Sequence, residues 1–215
     1  MSMRPFFVTL TSLVLLTSAG CSILPENDPP SLYRLPSSER SSSESSHHGT
    51  ASSTSTQRLG VATPEAGYLL SSNRIVVYPE NTRVNVYEGA RWHEDTPDLI
   101  QARLIEGLQQ STLFASVGSD HLPSDLLLLS ELRHFQSEYD NGRPRAVIQI
   151  DVQLVEADSR APLASESFRT TSQASNVEIP AVVDAFGRAS DALVEQLTAW
   201  LAEHSNTRSA RLTSG

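Results

Sequence analysis

The stretch from Arg83 to Ser111 most constrains the fold, because it joins a strand pattern directly to a helix pattern. Thr96 is expected to be the N-cap of this helix, with Pro97 at its first position. The apolar residues then recur every three or four positions, which predicts one buried face, whereas Arg103 and its polar neighbours Glu106 and Gln110 are expected to point outward. The positions of this helix expected to be buried are Leu99, Ile100, Leu104, Ile105 and Leu108. A strand that runs into such a helix requires a sheet on which the helix can pack.

The segments on either side predict that sheet. Residues 74–78 and 83–87 read as a hairpin, and the short run 113–117 as a further strand. Residues 126–139 and 146–154 flank the turn signal Asp-Asn-Gly, and 163–171 follows as a returning strand. Apolar residues occupy every second position from 146 to 154, with polar residues at 149, 151 and 153 between them, as expected for an antiparallel sheet with one buried and one wetter face.

A second amphipathic helix is predicted from Ile179 to His204, where Phe186, Leu193 and Leu197 belong to one apolar stripe. The order of strands, helix, strands and helix indicates an α+β fold. We expect an antiparallel or mixed sheet with the two amphipathic helices packed on one face.

The N-terminus has the pattern of an export signal. Arg4 precedes an apolar run, and small residues lead into Cys21, so residues 1–20 are predicted to be a signal peptide. Residues 16–21, Leu-Thr-Ser-Ala-Gly-Cys, resemble the lipobox of bacterial lipoproteins, although Ser18 stands where leucine is usual. The resemblance implies that Cys21 carries lipid, including palmitate, and that Ser22 directs the protein to the outer membrane. The alternative is a plain secretory signal that leaves Cys21 as a free thiol.

Composition divides the rest of the chain. Residues 21–57 read as a lipidated N-terminus and a serine-rich tether, interrupted at 32–35 by a candidate edge strand. Residues 58–204 are expected to form the α+β domain, and 205–215 a disordered tail.

Charge and residue usage exclude several classes of function. The formal charge is -9, and the chain contains arginine but no lysine. An acidic chain without a basic cluster is a poor ligand for nucleic acid, so no nucleic-acid partner is expected. The missing lysine excludes Schiff-base chemistry and a Walker-type phosphate loop. Cys21 is the only cysteine, so the chain cannot form an intramolecular disulfide.

Candidate catalytic groups are few. His93, Glu94 and Asp95 are adjacent but lack metal-ligand spacing, and a solvated turn explains them. Ser130 and His134 would share one face of a strand, but no GxSxG motif accompanies them. We therefore expect no enzyme activity, no metal and no cofactor. Arg91 and Trp92 could bind a partner, since both residue types are favoured at interfaces; alternatively, Trp92 fills the core.

A family resemblance rests on the order of several short motifs. These are LYRL at 32–35, then YLL, RIVVYPE, VYEGARW and TPDLIQARLIEGL between Tyr68 and Leu108, ELRHF at 131–135, VEAD at 155–158 and AFGRASDALVEQLTAW at 185–200. In this order they resemble the auxiliary lipoprotein component of ABC-type intermembrane transporters, the paraquat-inducible lipoprotein family.

The resemblance implies a non-catalytic, lipid-anchored outer-membrane lipoprotein that faces the periplasm. It further implies a homo-oligomer that works with a substrate-binding protein of the mammalian-cell-entry type, an ABC permease and an ATPase in lipid transport. Two alternatives remain: a periplasmic lipoprotein hydrolase, and an assembly lipoprotein of other envelope machinery.

Overall fold

The computed structural model describes residues 29–37, 56–80 and 82–205, and within them the chain forms one mixed sheet and two helices. The strands are β1 (Ser31–Tyr33), β2 (Arg58–Val61), β3 (Glu65–Ala66), β4 (Arg74–Glu80), β5 (Arg83–Trp92), β6 (Ser116–Ser119), β7 (Leu126–Asp140), β8 (Arg143–Glu156) and β9 (Pro162–Gln173). The helices are α1 (Thr96–Gln110) and α2 (Ile179–Ser205). The predicted signal peptide with Cys21, most of the serine-rich tract and residues 206–215 lie outside the described residues.

Strand β7 is the centre of the sheet. On one side it pairs antiparallel with β8, which pairs antiparallel with β9. The β7–β8 turn uses Asn141 and Gly142 at positive φ, as the Asp-Asn-Gly signal predicts. The other edge of β7 is shared by β2, β3 and β4, all parallel to it. From there β2 continues to β6, and β4 continues through the antiparallel β5 to β1. The predicted α+β fold is confirmed, with a mixed sheet.

Both helices contribute to one core on the same face of the sheet. Their apolar stripes join the inward residues of β7 and β8 in a single cluster. At its centre Trp92, Phe135 and Phe186 pack together, with ring centroids 4.7 to 5.6 Å apart. Thr170 Oγ1 donates a hydrogen bond to the Ala189 carbonyl at 2.9 Å and so fastens β9 to α2. The aromatic cluster of Trp92, Phe135 and Phe186 joins β5, β7 and α2, because each element contributes one ring.

Two details of α1 differ from the sequence expectation. The helix begins with Thr96 as its first residue, Asp95 holds the N-cap position, and Pro97 is therefore second. The Thr96 hydroxyl makes no cap; it donates instead to the Ser72 carbonyl at 2.9 Å, because the loop before β4 packs against this end of the helix. Arg103 does not point outward either: its side chain is buried, because α2 crosses beside it and supplies Asp191 as a counter-charge.

The short strand after α1 also begins later than expected. β6 starts at Ser116, so Leu113 and Phe114 precede it, and Phe114 enters the core from the turn. Apolar side chains are needed in the core whether a strand or a turn delivers them, so composition alone does not locate the strand boundary.

The close approach of the helices at Gly107 carries a prediction. A Cβ atom there would collide with Cγ1, Cγ2 and Cβ of Val194. We expect Gly107→Ala to lower the free energy of unfolding by about 1 kcal/mol, since an overpacking cost in the middle of the range of roughly 1–3 kcal/mol exceeds the gain of about 1 kcal/mol in helix propensity. Urea unfolding followed by circular dichroism measures this.

The matched control is Gly67→Ala, because no atom lies within 4 Å of the added Cβ. Adding Val194→Ala to Gly107→Ala should restore most of the lost stability. A Gly107→Ala protein as stable as the parent would contradict the close crossing of α1 and α2.

The start of the described chain is held against the domain. β1 pairs in parallel with β5, and the His93 amide donates to the Tyr33 carbonyl at 2.9 Å. Further along, Pro36 lies so close to Gly187 that a Cβ there would approach it to 2.7 Å. Residues 31–36 are thus part of the folded body, on the N-terminal side of the serine-rich tract.

Candidate functional site

The predicted pair Arg91 and Trp92 divides between surface and core. Trp92 is 0% exposed and packs edge-on against Phe186. Of the two roles that the sequence allowed, it therefore fills the core and does not contact a partner. Arg91 is half-buried, and its Nη1 donates to the carbonyls of Ala90 and Tyr87 at 2.7 and 3.2 Å. In β1, Leu32 pairs with Arg91 and is exposed. An incoming partner could therefore contact Arg91 and Leu32 but not Trp92.

The acidic cluster before α1 forms an exposed turn. His93 Nε2 lies 3.8 Å from a Glu94 carboxylate oxygen, and both side chains are substantially exposed. Asp95 is the N-cap residue and makes no side-chain cap hydrogen bond. Within the described residues, no group of three or more metal-ligating side chains converges, here or elsewhere.

Ser130 and His134 lie on opposite faces of the sheet, contrary to the sequence expectation. β7 has a bulge between Leu132 and His134, so Ser130 pairs with Val152 and His134 with Gln149. Val152 belongs to the core and Gln149 to the outer face. The extra residue reverses the alternation, and the hydroxyl and the imidazole cannot act together as nucleophile and base.

The outer face of the β7–β8–β9 sheet is covered by paired charges. Arg133 contacts Glu131 at 2.5 Å and Asp151 at 2.7 Å, and Ser167 Oγ donates to the same aspartate at 2.7 Å. The hydrogen bond from Ser167 and the arginine beside it hold the pKa of Asp151 below its usual range. The Asp151 carboxylate is ionised and accepts hydrogen bonds from both Arg133 and Ser167, so it is poorly suited to serve as a general base.

The same pattern continues along the strands. Arg145 lies 3.1 Å from Glu138, which also accepts a hydrogen bond from Gln136 at 3.0 Å. Burial would raise the pKa of Glu138, but these hydrogen bonds outweigh it and the pKa is lowered. The face therefore carries a network of ion pairs and hydrogen bonds, typical of an exposed or interface surface rather than of a reactive centre.

Two concave regions in the described part of the chain are open to solvent. A groove of about 690 Å³ runs between α1 and α2 and is lined by Gln110, Arg188, Asp191 and Thr198 among others. A depression of about 370 Å³ lies on the outer face beside His134, beneath Tyr68, which is 91% exposed. The sequence offered no signal for the exposure of Tyr68, because an aromatic residue before two leucines reads equally well as core.

None of the helices in the described segments is long and apolar enough to cross a membrane. Cys21 and Ser22 lie outside those segments, so lipidation at Cys21 stays a prediction.

Comparison with known proteins places this fold. The family described as ABC-type transport auxiliary lipoprotein component matches residues 40–198. The chain is similar to a crystal structure from Xanthomonas campestris of the DUF330 family, with 26% identity, a TM-score of 0.69, and coverage of 73% of this chain and 90% of that one. A second crystal structure, of an uncharacterized protein, has a TM-score of 0.64 at 15% identity and covers 81% and 99% of the two chains.

No curated protein matches the chain. The family match spans β2 to β9, the whole of α1 and the part of α2 up to residue 198. It confirms the family resemblance recognised from the order of the short motifs. The chain therefore belongs to the ABC-type transport auxiliary lipoprotein component family.

Proposed function

We propose that the protein is a non-catalytic outer-membrane lipoprotein subunit of an intermembrane lipid transport system of the ABC and mammalian-cell-entry type. In this role it acts in the periplasm as an adaptor or docking subunit. The observation that carries the proposal is the family match over residues 40–198. The transport activity would reside in other chains: a mammalian-cell-entry-type substrate-binding protein, an ABC permease and an ATPase.

The anchor is proposed from the first 22 residues. The match begins at residue 40, so it supports the lipoprotein class, and the lipobox-like residues before Cys21 supply the position. Several acyl chains on one cysteine would hold the domain durably, since a single chain binds a bilayer only marginally. Ser22, in place of aspartate, supports the outer membrane by resemblance to enterobacterial lipoproteins.

The surface of the domain suits an adaptor better than a hydrolase. The Ser130 and His134 pair that would favour a hydrolase is separated by the sheet. Burial raises the pKa of Tyr87, whose hydroxyl is tied to Ser137 at 3.1 Å, so this phenol stays neutral. Leu32 and Tyr68 are exposed and Arg91 is half-buried. Aromatic and arginine side chains of this kind are enriched at protein interfaces. We propose that Arg91 belongs to the partner-binding surface and that the subunit acts as a homo-oligomer.

Co-purification from detergent-extracted membranes tests the proposal. The tagged, full-length protein should recover the mammalian-cell-entry-type protein together with the permease and the ATPase. Arg91→Ala should reduce that recovery several-fold without unfolding the domain, because an interface arginine removed from one partner leaves its acceptors unpaired. Quantitative mass spectrometry of the eluates measures both.

Arg83→Ala is the matched control, since Arg83 lies on the same strand, is exposed, and has only Glu80 at 3.6 Å as an ion-pair partner in the described region. Its recovery should equal that of the parent protein. Recovery of the parent protein alone, with measurable esterase activity, would contradict the adaptor function and favour the hydrolase.

A further inference from the structure

We infer that the end of the sheet formed by the β4–β5 and β7–β8 turns faces the lipid surface in which the protein is anchored. This end, which we call the turn end, comprises Glu80, Thr82 and Arg83, with residues 140–143 and 174–178. The inference rests on the proposed acylation of Cys21, and it adds which surface of the domain meets the bilayer.

The direction of β1 carries the first step. β1 runs parallel to β5, with Ser31 opposite Ala90 and Tyr33 opposite Trp92. β5 is antiparallel to β4, and β4 is parallel to β7, so β1 runs opposite to β7. β7 ends at Asp140 in the turn end. The chain that precedes Ser31 therefore approaches β1 from the side of the turn end.

The length of the preceding chain carries the second step. Cys21 stands ten residues before Ser31. Fully extended, ten residues span at most about 33–36 Å. The 15 residues of β7 span roughly 50 Å at about 3.3 Å per residue. Ser31 pairs with Ala90, seven residues along β5 from Arg83, so at most roughly 23 Å at about 3.3 Å per residue separates the start of β1 from the turn end. The extended tether exceeds this distance and already points that way, whereas the opposite end of β7 would require the chain to reverse its direction first.

The contacts of residues 31–36 show which part of the tether determines the reach of the anchor. The His93 amide donates a hydrogen bond to the Tyr33 carbonyl at 2.9 Å, and Pro36 packs against Gly187. The serine-rich tract comes after these contacts in the chain, so its length adds nothing to the reach of the anchor. Residues 21–30, rather than the whole of 21–57, set the distance between domain and membrane.

The turn end has surface chemistry compatible with lipid headgroups. Val84 and Val177 are 42% and 54% exposed, and the side chains of Arg83 and Arg143 are exposed beside them. Arginine stems and small apolar side chains suit the boundary between headgroups and water. Acidic residues are present too: Glu80 lies 3.6 Å from Arg83, and Asp140 3.9 Å from Arg145. Charge attraction is thus largely balanced here, and the tether sets the orientation.

A single-label experiment tests the orientation. Because Cys21 is the only cysteine, the acylated protein has no other thiol, and an introduced cysteine can be labelled uniquely. Arg143→Cys places a fluorophore in the turn end. His121→Cys is the matched control in the loop between β6 and β7, where the side chain is 89% exposed at the opposite end of the sheet.

The acylated, full-length variants are reconstituted into phosphatidylethanolamine and phosphatidylglycerol vesicles that contain a headgroup-labelled nitroxide lipid. We expect the label at residue 143 to be quenched several-fold more strongly than the label at residue 121. Thr82→Cys and Ser159→Cys form a second pair at the two ends and should give the same ranking, which guards against a local effect of one substitution.

Equal quenching at both ends, or stronger quenching at residue 121, would overturn the orientation and leave the proposed function standing. Mass spectrometry of the same samples separates the two ideas. A Cys21 without acyl chains would remove the anchor from the proposed function and the orientation with it.

Discussion

Replacing Phe186 by alanine is expected to lower the free energy of unfolding by about 3–5 kcal/mol, the range for a fully buried phenylalanine. Phe186 is completely buried in α2, and its ring lies 4.7 Å from that of Phe135 and 5.3 Å from that of Trp92. The substitution removes two aromatic contacts as well as apolar area, and such contacts add roughly 0.5–1.5 kcal/mol per pair.

The size of the effect follows from where the three rings come from. Trp92 ends β5, Phe135 lies in β7 and Phe186 in α2, so the cavity would open where the hairpin, the central strand and the covering helix meet. None of these elements can move to fill it without losing its own contacts. Urea unfolding followed by far-ultraviolet circular dichroism gives the change in stability.

Tyr68→Ala is the control for an aromatic residue outside the core. Its side chain is 91% exposed, so the loss should stay within about 0.5 kcal/mol. A Phe186→Ala protein that loses less than the control would show that the aromatic cluster is not the centre of the core.

The second large effect is expected at the N-terminus. Cys21→Ser should abolish incorporation of labelled palmitate and release the protein from the membrane fraction, because a serine hydroxyl cannot replace the thiol in thioether formation and no other cysteine is available. Metabolic labelling and membrane fractionation measure the two outcomes. Continued uptake of label by the Cys21→Ser protein would contradict the lipoprotein anchor.

Ser22→Asp is the matched variant at the neighbouring residue. It should take up palmitate like the parent protein but shift from the outer to the inner membrane in a density gradient. An unchanged distribution would remove Ser22 as a sorting signal without affecting acylation.

Most of the secondary structure could be predicted because its signals are local. The stripe of α1, the Asp-Asn-Gly turn and the alternation of β8 each depend on residues a few positions apart. The three strands that share one edge of β7 could not be predicted in this way. Residues 76 and 136, which pair in β4 and β7, are distant in sequence, and no short-range pattern specifies which strand a parallel partner will choose.

At the candidate site, too, the features that the sequence did not predict depend on residues distant in the chain or on one inserted residue. A single bulge at residue 133 separates Ser130 from His134, and a period-two pattern cannot reveal one inserted residue. The amphipathic pattern of its own helix predicts an exposed Arg103, yet the burial of Arg103 beside Asp191 depends on a second helix far along the chain. Tryptophan suits core and interface equally, so only the packing of Trp92 against Phe186 assigns it to the core.

The shared edge of β7 also sets the order in which the protein can fold. β2, β3 and β4 precede β7 in the chain, so their pairing with its edge must wait for it, although β4 can pair first with β5. The β7–β8 hairpin is the longest local unit of the described sheet and can form early, with 14 paired positions around a tight turn. A chain threaded through a membrane from its N-terminus would expose residues 58–92 before that hairpin arrives. Those strands would then depend on a holding chaperone, and slow translocation should increase aggregation more than it does for proteins whose neighbouring strands pair in sequence order.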